Sequence, residues 1–284
     1  MRVGFVGIGV MGAPMAGHLA AAGHEVVVFN RSKAKAEAWA ASNAGRAVAT
    51  VGESAAGRDL LILCVGNDDD VRGVIAEALT TLPAGAIIVD HTTTSAKVAV
   101  QMAGLAAAAG SAFLDAPVSG GEAGAKAGKL SIMVGGDAGA VARASAVIGA
   151  YAKAIKHMGG SGTGQLTKMV NQICIAGVVQ GLAEAVAFAG KAGLDPTLVY
   201  EAVSQGAAQS WQMDNRWATM AKGEFEFGFA VDWMRKDLGL VLDEARANGA
   251  RVEVTALVDQ FYAEVQAMGG RRWDTSSLAA RLSK

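Results

Sequence analysis

A lysine lies near the start of a long apolar stretch, and two amide side chains follow it closely. The stretch GTGQLTKMVNQICIAGVVQGLAEAVAFAGKAG covers residues 162–193 and carries Lys168, Asn171 and Gln172. Its composition predicts a helix, and residues three and four positions apart share one helix face. The ammonium of Lys168 could reach bulk water along its apolar stem. Alternatively, it could act as an acid or base in a buried site.

A glycine-rich segment near the N-terminus has the spacing of a dinucleotide-binding loop. Gly7, Gly9 and Gly12 form G-x-G-x-x-G after a predicted strand and at the start of a predicted helix. Such glycines permit a tight turn and close approach of a pyrophosphate to the helix N-terminus. We predict that these glycines, with the intervening Val10 and Met11, bind a dinucleotide; the alternative is a glycine-rich turn without a ligand.

The end of the second predicted strand bears on which dinucleotide is bound. An acidic residue at this point accepts hydrogen bonds from the ribose 2′-hydroxyl of NAD. This chain has Asn30, Arg31 and Ser32 in VVVFNRS, so the acid is replaced and a guanidinium follows. Because a guanidinium matches a 2′-phosphate, we predict NADP in preference to NAD. In the alternative interpretation, Arg31 is merely exposed and Ser32 caps the next helix.

Two further strand ends are expected to line the same crevice, because parallel sheets bind ligands at the carboxyl ends of their strands. The first supplies Val65, Gly66 and Asn67 in CVGNDDDV, and the second supplies His91, Thr92 and Thr93 in VDHTTTS. Asn67 and the aspartates that follow it could equally cap a helix. His91 could equally be structural or functional.

A glycine-containing loop follows a later predicted strand in DAPVSGGEAGAKAG. Ser119, Gly120 and Gly121 offer a hydroxyl and backbone N–H groups. A concave set of N–H groups suits a carboxylate, although an ordinary loop accounts for the pattern equally well.

The elements that position these residues divide the chain in two. Short apolar runs alternate with helical patterns up to about residue 160, which predicts a doubly wound, mostly parallel α/β sheet of the Rossmann type. The predicted strands include AVAT at residues 47–50 and AFLDAPV at residues 112–118. Beyond it we predict only helices. We place the boundary near Gly162, giving a dinucleotide-binding domain over residues 1–162 and a helical substrate and oligomerisation domain over residues 163–284. The predicted helices are Gln165–Ala192, Pro196–Gln205, Trp211–Lys222, Ala230–Asn248, Thr255–Met268 and Ser276–Leu282.

Composition excludes several classes of protein. The chain has 284 residues, 52% of them hydrophobic, and a formal net charge of -1 without long runs of one sign. These values argue against disorder and a nucleic-acid partner. We see no signal peptide, membrane span or metal-ligand spacing. Cys64 and Cys174 lie in apolar stretches and are predicted to be buried free thiols, which suits the cytoplasm.

Several motifs in this order resemble the β-hydroxyacid dehydrogenase family over nearly the whole chain. They are GFVGIGVMGAPMA, DAPVSGG followed by GKLSIMVGG, GTGQLTKMVNQ and FGFAVDWMRKDL. Within the family, KMVNQ and GLAEAVAFAGKAGLDP are most similar to the tartronate semialdehyde (2-hydroxy-3-oxopropionate) reductases, with the 3-hydroxyisobutyrate dehydrogenases close by. The segments DHTTTS and CVGND depart from the usual family patterns, which affects cofactor and substrate packing.

The resemblance implies a role for each matched residue. Lys168 matches the catalytic lysine. The loop of Ser119, Gly120 and Gly121 matches the site for the substrate carboxylate, and Asn171 with Gln172 matches an amide pair beside the substrate. Thr93 matches a hydroxyl near the nicotinamide, and Lys236 a lysine that helps hold the cofactor.

The resemblance therefore implies an NADP(H)-dependent oxidoreductase that interconverts a small 3-hydroxy acid and its semialdehyde. Glyoxylate or succinic semialdehyde reductases and L-serine dehydrogenases use the same machinery, so they remain alternatives. A catalytically silent cofactor-binding protein would be expected to lack the lysine. We also expect a homodimer or homotetramer, because family members associate through the helical region.

Overall fold

The structure is a computed structural model, and it describes residues 1–282. The chain forms two compact units, Met1–Lys168 and Met169–Lys284. The division between the units falls within helix α8 (Thr163–Lys191). The domain boundary predicted at residue 162 lies a few residues earlier and stays a prediction.

The first unit is built on one nine-stranded sheet. Strands β1 to β6 are parallel in the order β3-β2-β1-β4-β5-β6, the doubly wound order of a Rossmann fold. Beyond β6, β8 pairs antiparallel with β6 and β7 and parallel with β9. The fold class is confirmed. The strands are β1 Arg2–Val6, β2 Glu25–Phe29, β3 Gly45–Ala47, β4 Leu60–Leu63, β5 Ile87–Asp90, β6 Ala112–Asp115, β7 Val118–Ser119, β8 Leu130–Gly135 and β9 Ala152–Gly159.

Helices cover both faces of this sheet, because its central strands are apolar on both sides. In β4, Leu60 and Ile62 join one hydrophobic core, while Leu61 and Leu63 join the other. This is the period-two alternation of a strand buried on both faces. The covering helices are α1 Gly12–Ala21, α2 Lys33–Ser42, α3 Val51–Ala55, α4 Asp68–Ala78, α5 Ala96–Ala108, α6 Gly121–Lys126 and α7 Ala138–Ile148, with a 3₁₀ helix over Gly149–Tyr151.

The second unit is helical, as predicted. After α8 come α9 Pro196–Val203, α10 Trp211–Lys222, α11 Val231–Asn248 and α12 Glu253–Ala267. The predicted last helix is a 3₁₀ helix over Thr275–Leu282. The start of α9 shows why the sequence folds this way: the Asp195 carboxylate accepts from the Thr197 N–H at 2.7 Å, and Pro196 supplies a first-turn residue without an N–H.

Three local predictions were wrong. The run AFLDAPV is not one strand, because β6 ends at Asp115 and the chain re-enters the sheet only at β7. The predicted strand at residues 47–50 starts two residues too late, since β3 covers Gly45–Ala47. Cys174 is exposed and Cys64 is partly buried, so neither free thiol is fully enclosed. An apolar neighbourhood in the sequence did not reveal which face of the helix Cys174 occupies.

Helix α8 is long and apolar enough to cross a membrane, whereas the sequence led us to expect no membrane span. Core helices of globular proteins have the same length and composition. It contributes Ala176, Val179, Leu182 and Ala183 to the core of the second unit. Lys168 and Gln172 lie within the same helix, where a lipid environment would penalise them. We therefore interpret α8 as a core helix.

Candidate active site

The loop between β1 and α1 has the backbone geometry that a pyrophosphate requires. Gly7 has φ +100°, which favours glycine, and a Cβ there would collide with the Cys64 carbonyl. A Cβ on Gly12 would lie 3.0 Å from Phe5 and closer still to the Gly7 carbonyl. Gly9 is exposed and a Cβ on it would meet no atom of the described chain within 4 Å. Two glycines thus permit close packing, and the third leaves open space beside the exposed Val10.

The end of β2 is tied to this loop and to α4. The Asn30 side chain accepts from the Ile8 N–H at 3.0 Å and donates to the Ser32 carbonyl at 3.1 Å. Arg31 is 81% exposed, and its guanidinium pairs with the Asp70 carboxylate at 3.0 Å. Ser32 occupies the position before α2, yet its hydroxyl makes no capping hydrogen bond with the described residues. Arg31 and Ser32 are adjacent in the sequence and follow the end of β2.

The end of β4 is held by hydrogen bonds from neighbouring segments. The Val65 N–H donates to the Thr92 hydroxyl at 3.0 Å, and the Gly66 N–H donates to Asp70 at 3.1 Å. Asn67 caps α4, accepting from the Asp70 N–H at 2.9 Å. The capping alternative for Asn67 is therefore present in the structure. Asp70, which the sequence did not single out, connects Gly66 with Arg31.

His91 is buried behind the end of β5. Its Nδ1 lies 2.6 Å from the Ala116 carbonyl, and its Nε2 lies 2.8 Å from the Tyr151 hydroxyl. A carbonyl oxygen only accepts, so Nδ1 donates and Nε2 accepts from the tyrosine. Burial lowers the pKa of His91 to about 4 and raises that of Tyr151 well above its ordinary range. His91 is thus a neutral structural link between β5 and the segment after β6.

The loop that follows β7 exposes backbone groups. Ser119 ends β7, and Gly120 and Gly121 follow with φ +131° and +61°, at the start of α6. Both glycines are exposed, and Ser119 is partly buried. Two successive positive φ values require glycine here and turn the backbone back on itself.

The first turn of α8 is anchored in the first unit. The Asp115 carboxylate accepts from the Gly162 N–H at 2.8 Å and from the Gln165 N–H at 2.9 Å. Burial raises the pKa of Asp115, while these N–H donors act in the opposite direction. Lys168 follows one turn later and is only 7% exposed. An isolated snorkelling lysine would keep its terminus in water, so this low exposure favours the buried-site interpretation.

In the second unit, the amides of α8 join a buried network with α11. Asn171 donates to the Gln172 side-chain oxygen at 2.7 Å, and Gln172 donates to the Asp237 carboxylate at 2.7 Å. Lys236 pairs with Asp237 at 3.1 Å. Gln172 and Asp237 are each 2% exposed. Asp237 therefore orients the glutamine and lysine that the sequence had singled out.

Among residues 1–282, no group of three or more metal-ligating side chains could hold a metal ion. Sequence reasoning assigned no function to Asp70, Asp115 or Gln165. The only available signals were the position of Asp115 at a strand end and of Gln165 one turn before Lys168.

Comparisons with known proteins identify the family. Residues 2–160 match the family model described as the NAD-binding domain of 6-phosphogluconate dehydrogenase. Residues 162–282 match the model described as "NAD-binding of NADP-dependent 3-hydroxyisobutyrate dehydrogenase". Together they span both units. The chain belongs to the β-hydroxyacid dehydrogenase family. It is an NAD(P)-dependent 3-hydroxyacid dehydrogenase, and the predicted resemblance is confirmed.

Individual relatives cover the whole enzyme. An oxidoreductase of Shewanella frigidimarina is 57% identical over 100% of this chain and 98% of its own. The 2-hydroxy-3-oxopropionate reductase of Escherichia coli is 35% identical over 99% of this chain and 97% of its own. The solved structure of Mycobacterium tuberculosis 3-hydroxyisobutyrate dehydrogenase with L-serine has a TM-score of 0.90 at 31% identity, with 100% of both chains covered.

The residues present fit a nicotinamide dinucleotide. The open space at Gly9 admits a pyrophosphate where a side chain would obstruct it, and helix α1 begins just beyond. The segments after β4 and β5 carry the Asn67 amide and the Thr93 hydroxyl, which are the kinds of group that would bind the rest of a dinucleotide. The enzyme thus has a cofactor cradle in its first unit and a buried lysine at the start of α8.

Proposed function

We propose that the enzyme reduces the semialdehyde of a small 3-hydroxy acid with NADPH, and catalyses the reverse oxidation. The substrates would be of the tartronate semialdehyde/D-glycerate or 3-hydroxyisobutyrate type. The carrying observation is Lys168, a lysine only 7% exposed, on a helix anchored to the cofactor-binding unit through Asp115.

Lys168 is proposed as the general acid and base. Reduction of an aldehyde builds negative charge on its oxygen, and an ammonium group can stabilise that charge and deliver the proton. In the oxidation direction the neutral amine accepts the hydroxyl proton. The bound nicotinamide supplies the hydride chemistry, while the chain's own residues orient the substrate and handle the proton.

The substrate carboxylate is proposed to bind Ser119, Gly120 and Gly121. Both glycines are exposed and have positive φ values, and successive backbone N–H groups in a turn can form a concavity that suits an anion. Asn171 would contact the substrate hydroxyl, while Gln172, held by the Asp237 carboxylate, would orient Asn171. A carboxylate one carbon removed from the reacting carbon is the common feature of 3-hydroxy acids.

A preference for NADPH is proposed from the end of β2. The exposed Arg31 guanidinium and the Ser32 hydroxyl, which caps nothing among the described residues, would bind the 2′-phosphate. Asn30 would act by fixing the loop at Ile8. The remaining proposed cofactor contacts are Gly7, Gly9, Val10, Met11, Gly12, Val65, Gly66, Asn67, Thr93 and Lys236.

Initial rates test the substrate class. NADPH and NADH oxidation would be followed with tartronate, methylmalonate and succinic semialdehydes and with glyoxylate. We expect the highest kcat/KM for one of the first two substrates with NADPH. A preference for succinic semialdehyde or glyoxylate would reject the proposed substrate class, and a preference for NADH would reject the cofactor assignment.

Lys168→Ala tests the acid/base role. We expect turnover below a hundredth of wild type, with NADPH binding nearly intact. The matched control is Lys191→Ala, an exposed lysine at the end of the same helix, which should retain wild-type rates. Turnover of Lys168→Ala above a hundredth of wild type would exclude the role.

L-serine oxidation is the second candidate function. It is favoured by the similarity to the M. tuberculosis enzyme whose structure is described with L-serine. Serine is a 3-hydroxy acid with an added ammonium group at C2. Replacing serine by D-glycerate or 3-hydroxyisobutyrate in the oxidation assay separates the two, because only a serine enzyme would prefer the ammonium group.

We also propose a cytoplasmic homodimer or homotetramer. Large apolar side chains are exposed on the second unit, including Val170 at 59% and Phe188 at 72% on α8 and Leu198 at 63% on α9. Such surface suits association between subunits. Light scattering of the purified enzyme should give two or four times the 28.8 kDa chain mass, and a monomer would reject this assignment.

A further inference from the structure

Gln165 joins three segments that carry proposed active-site residues. Its side chain is fully buried. The amide nitrogen donates to the Thr92 carbonyl at 2.7 Å, and the amide oxygen accepts from the Thr94 N–H at 3.1 Å. The two backbone groups that it binds are therefore those on either side of Thr93. One side chain fixes the backbone around that residue.

The other end of Gln165 is fixed by Asp115. The Gln165 N–H donates to one carboxylate oxygen at 2.9 Å, while the Gly162 N–H donates to the other at 2.8 Å. The surrounding backbone is packed closely around this contact. A Cβ on Gly164 would lie 2.6 Å from the Met133 carbonyl, and a Cβ on Gly135 would lie 2.6 Å from the Asp115 carboxylate.

Lys168 lies three residues beyond Gln165, about 4.5 Å further along the helix on the same side. We propose that Gln165 is a positioning residue that sets the placement of Lys168 relative to Thr93, the residue assigned next to the nicotinamide. This inference rests on the proposed function. The Gln165 amide does not contact the reacting atoms. It fixes the distance between Lys168, the proposed acid, and the cofactor.

The chemistry at this position requires an amide. A glutamate has the same shape and still accepts from the Thr94 N–H. Because burial raises the pKa of a carboxyl group, and a protonated glutamic acid would donate to the Thr92 carbonyl as the amide does, Gln165→Glu is assayed at alkaline pH, where its ionised form places a second oxygen against that carbonyl. A methionine has a similar length and makes neither hydrogen bond. Neither substitution changes the glycine loop or Arg31, so binding of the cofactor's phosphates should be unaffected.

The experiment compares Gln165→Met and Gln165→Glu with the wild-type enzyme and with Gln180→Met. Gln180 is a matched control because it lies on the same helix, is 8% exposed and donates only to Glu184, one turn away. We expect kcat to fall by about tenfold to a hundredfold in both Gln165 variants, since small misplacements of catalytic groups have effects of this size. We expect the Kd for NADPH to change by less than about twofold and Gln180→Met to stay near wild type.

Several results would overturn the inference. These are a kcat within about threefold of wild type in Gln165→Met, or in Gln165→Glu at alkaline pH, an equal loss in Gln180→Met, or a rise in the Kd for NADPH that matches the fall in kcat. If Gln165→Met does not fold, Gln165→Glu at alkaline pH decides, because its ionised carboxylate keeps only one of the two hydrogen bonds. Lys168→Ala, measured alongside, separates the two proposals. An active Lys168→Ala rejects the proposed acid/base role, whereas an inactive one beside fully active Gln165 variants rejects only the positioning role.

Discussion

Lowering the pH from neutrality should destabilise the enzyme through His91, a residue that plays no part in the chemistry. The ring is 3% exposed and lies between the Ala116 carbonyl and the Tyr151 hydroxyl. Burial holds its pKa at about 4, compared with an ordinary value of 6.5. The native ring therefore stays neutral at pH values where the same ring in the unfolded chain is already protonated.

The sign and size of the effect follow from proton linkage. Because the native pKa lies below the unfolded one, the stabilisation is complete above pH 6.5 and is lost as the pH falls toward 4. This difference in pKa corresponds to about 3 kcal/mol of unfolding free energy, of which about 2 kcal/mol is lost between pH 7 and pH 4.5. Asp115 acts in the opposite direction, because burial raises its pKa and the native state gains that proton first.

The assay isolates His91 by comparing pH profiles. Unfolding free energies from urea titrations would be measured at several pH values for wild type, His91→Asn and His157→Asn. Asparagine retains a donor for the Ala116 carbonyl but does not titrate. His157 is an exposed histidine on β9 and serves as the control.

We expect His91→Asn to be less stable than wild type at pH 7, because the Tyr151 hydroxyl loses its acceptor. That deficit should shrink by about 2 kcal/mol at pH 4.5, while the offset of His157→Asn stays nearly constant. A deficit for His91→Asn that changes by less than about 0.5 kcal/mol would refute a neutral buried imidazole with a strongly lowered pKa.

Two further predictions concern the cofactor and the helix anchor. Arg31→Ala should lower the ratio of kcat/KM for NADPH over NADH by about tenfold. Asp70→Asn releases the guanidinium from its ion pair and should raise this ratio. Initial rates with both cofactors measure the ratio, and an unchanged value in Arg31→Ala would contradict the assignment. Gly164→Ala should cost about 1–3 kcal/mol of stability by forcing a Cβ against the Met133 carbonyl. Gly177→Ala, on the same helix with no described atom within 4 Å of the added Cβ, should not lower the Tm, and equal melting temperatures for the two variants would contradict the packing argument.

The features predicted correctly from the sequence depend on regular spacing. Alternating apolar runs and helical patterns predicted the parallel sheet, and the glycine spacing predicted a loop whose backbone indeed requires Gly7 and Gly12. Helix capping could be offered as an alternative role for Asn67 because its partner, the Asp70 N–H, lies only three residues away. A contact between near neighbours can be predicted from a short stretch of sequence, because the backbone conformation of that stretch determines the contact.

The contacts that position the site cannot be predicted in this way. Gln165 binds Thr92 and Thr94, residues more than seventy positions earlier, and Arg31 meets Asp70, a residue 39 positions later. Asp115 ends a strand that the apolar pattern predicted to continue, and its carboxylate anchors α8. Residues proposed to contact cofactor or substrate were found through motifs, while those that hold them apart at a fixed distance became visible only once the strand ends were brought together. The effects of substituting Gln165 and Asp70 therefore test the geometry of the fold more directly than any substitution within a motif.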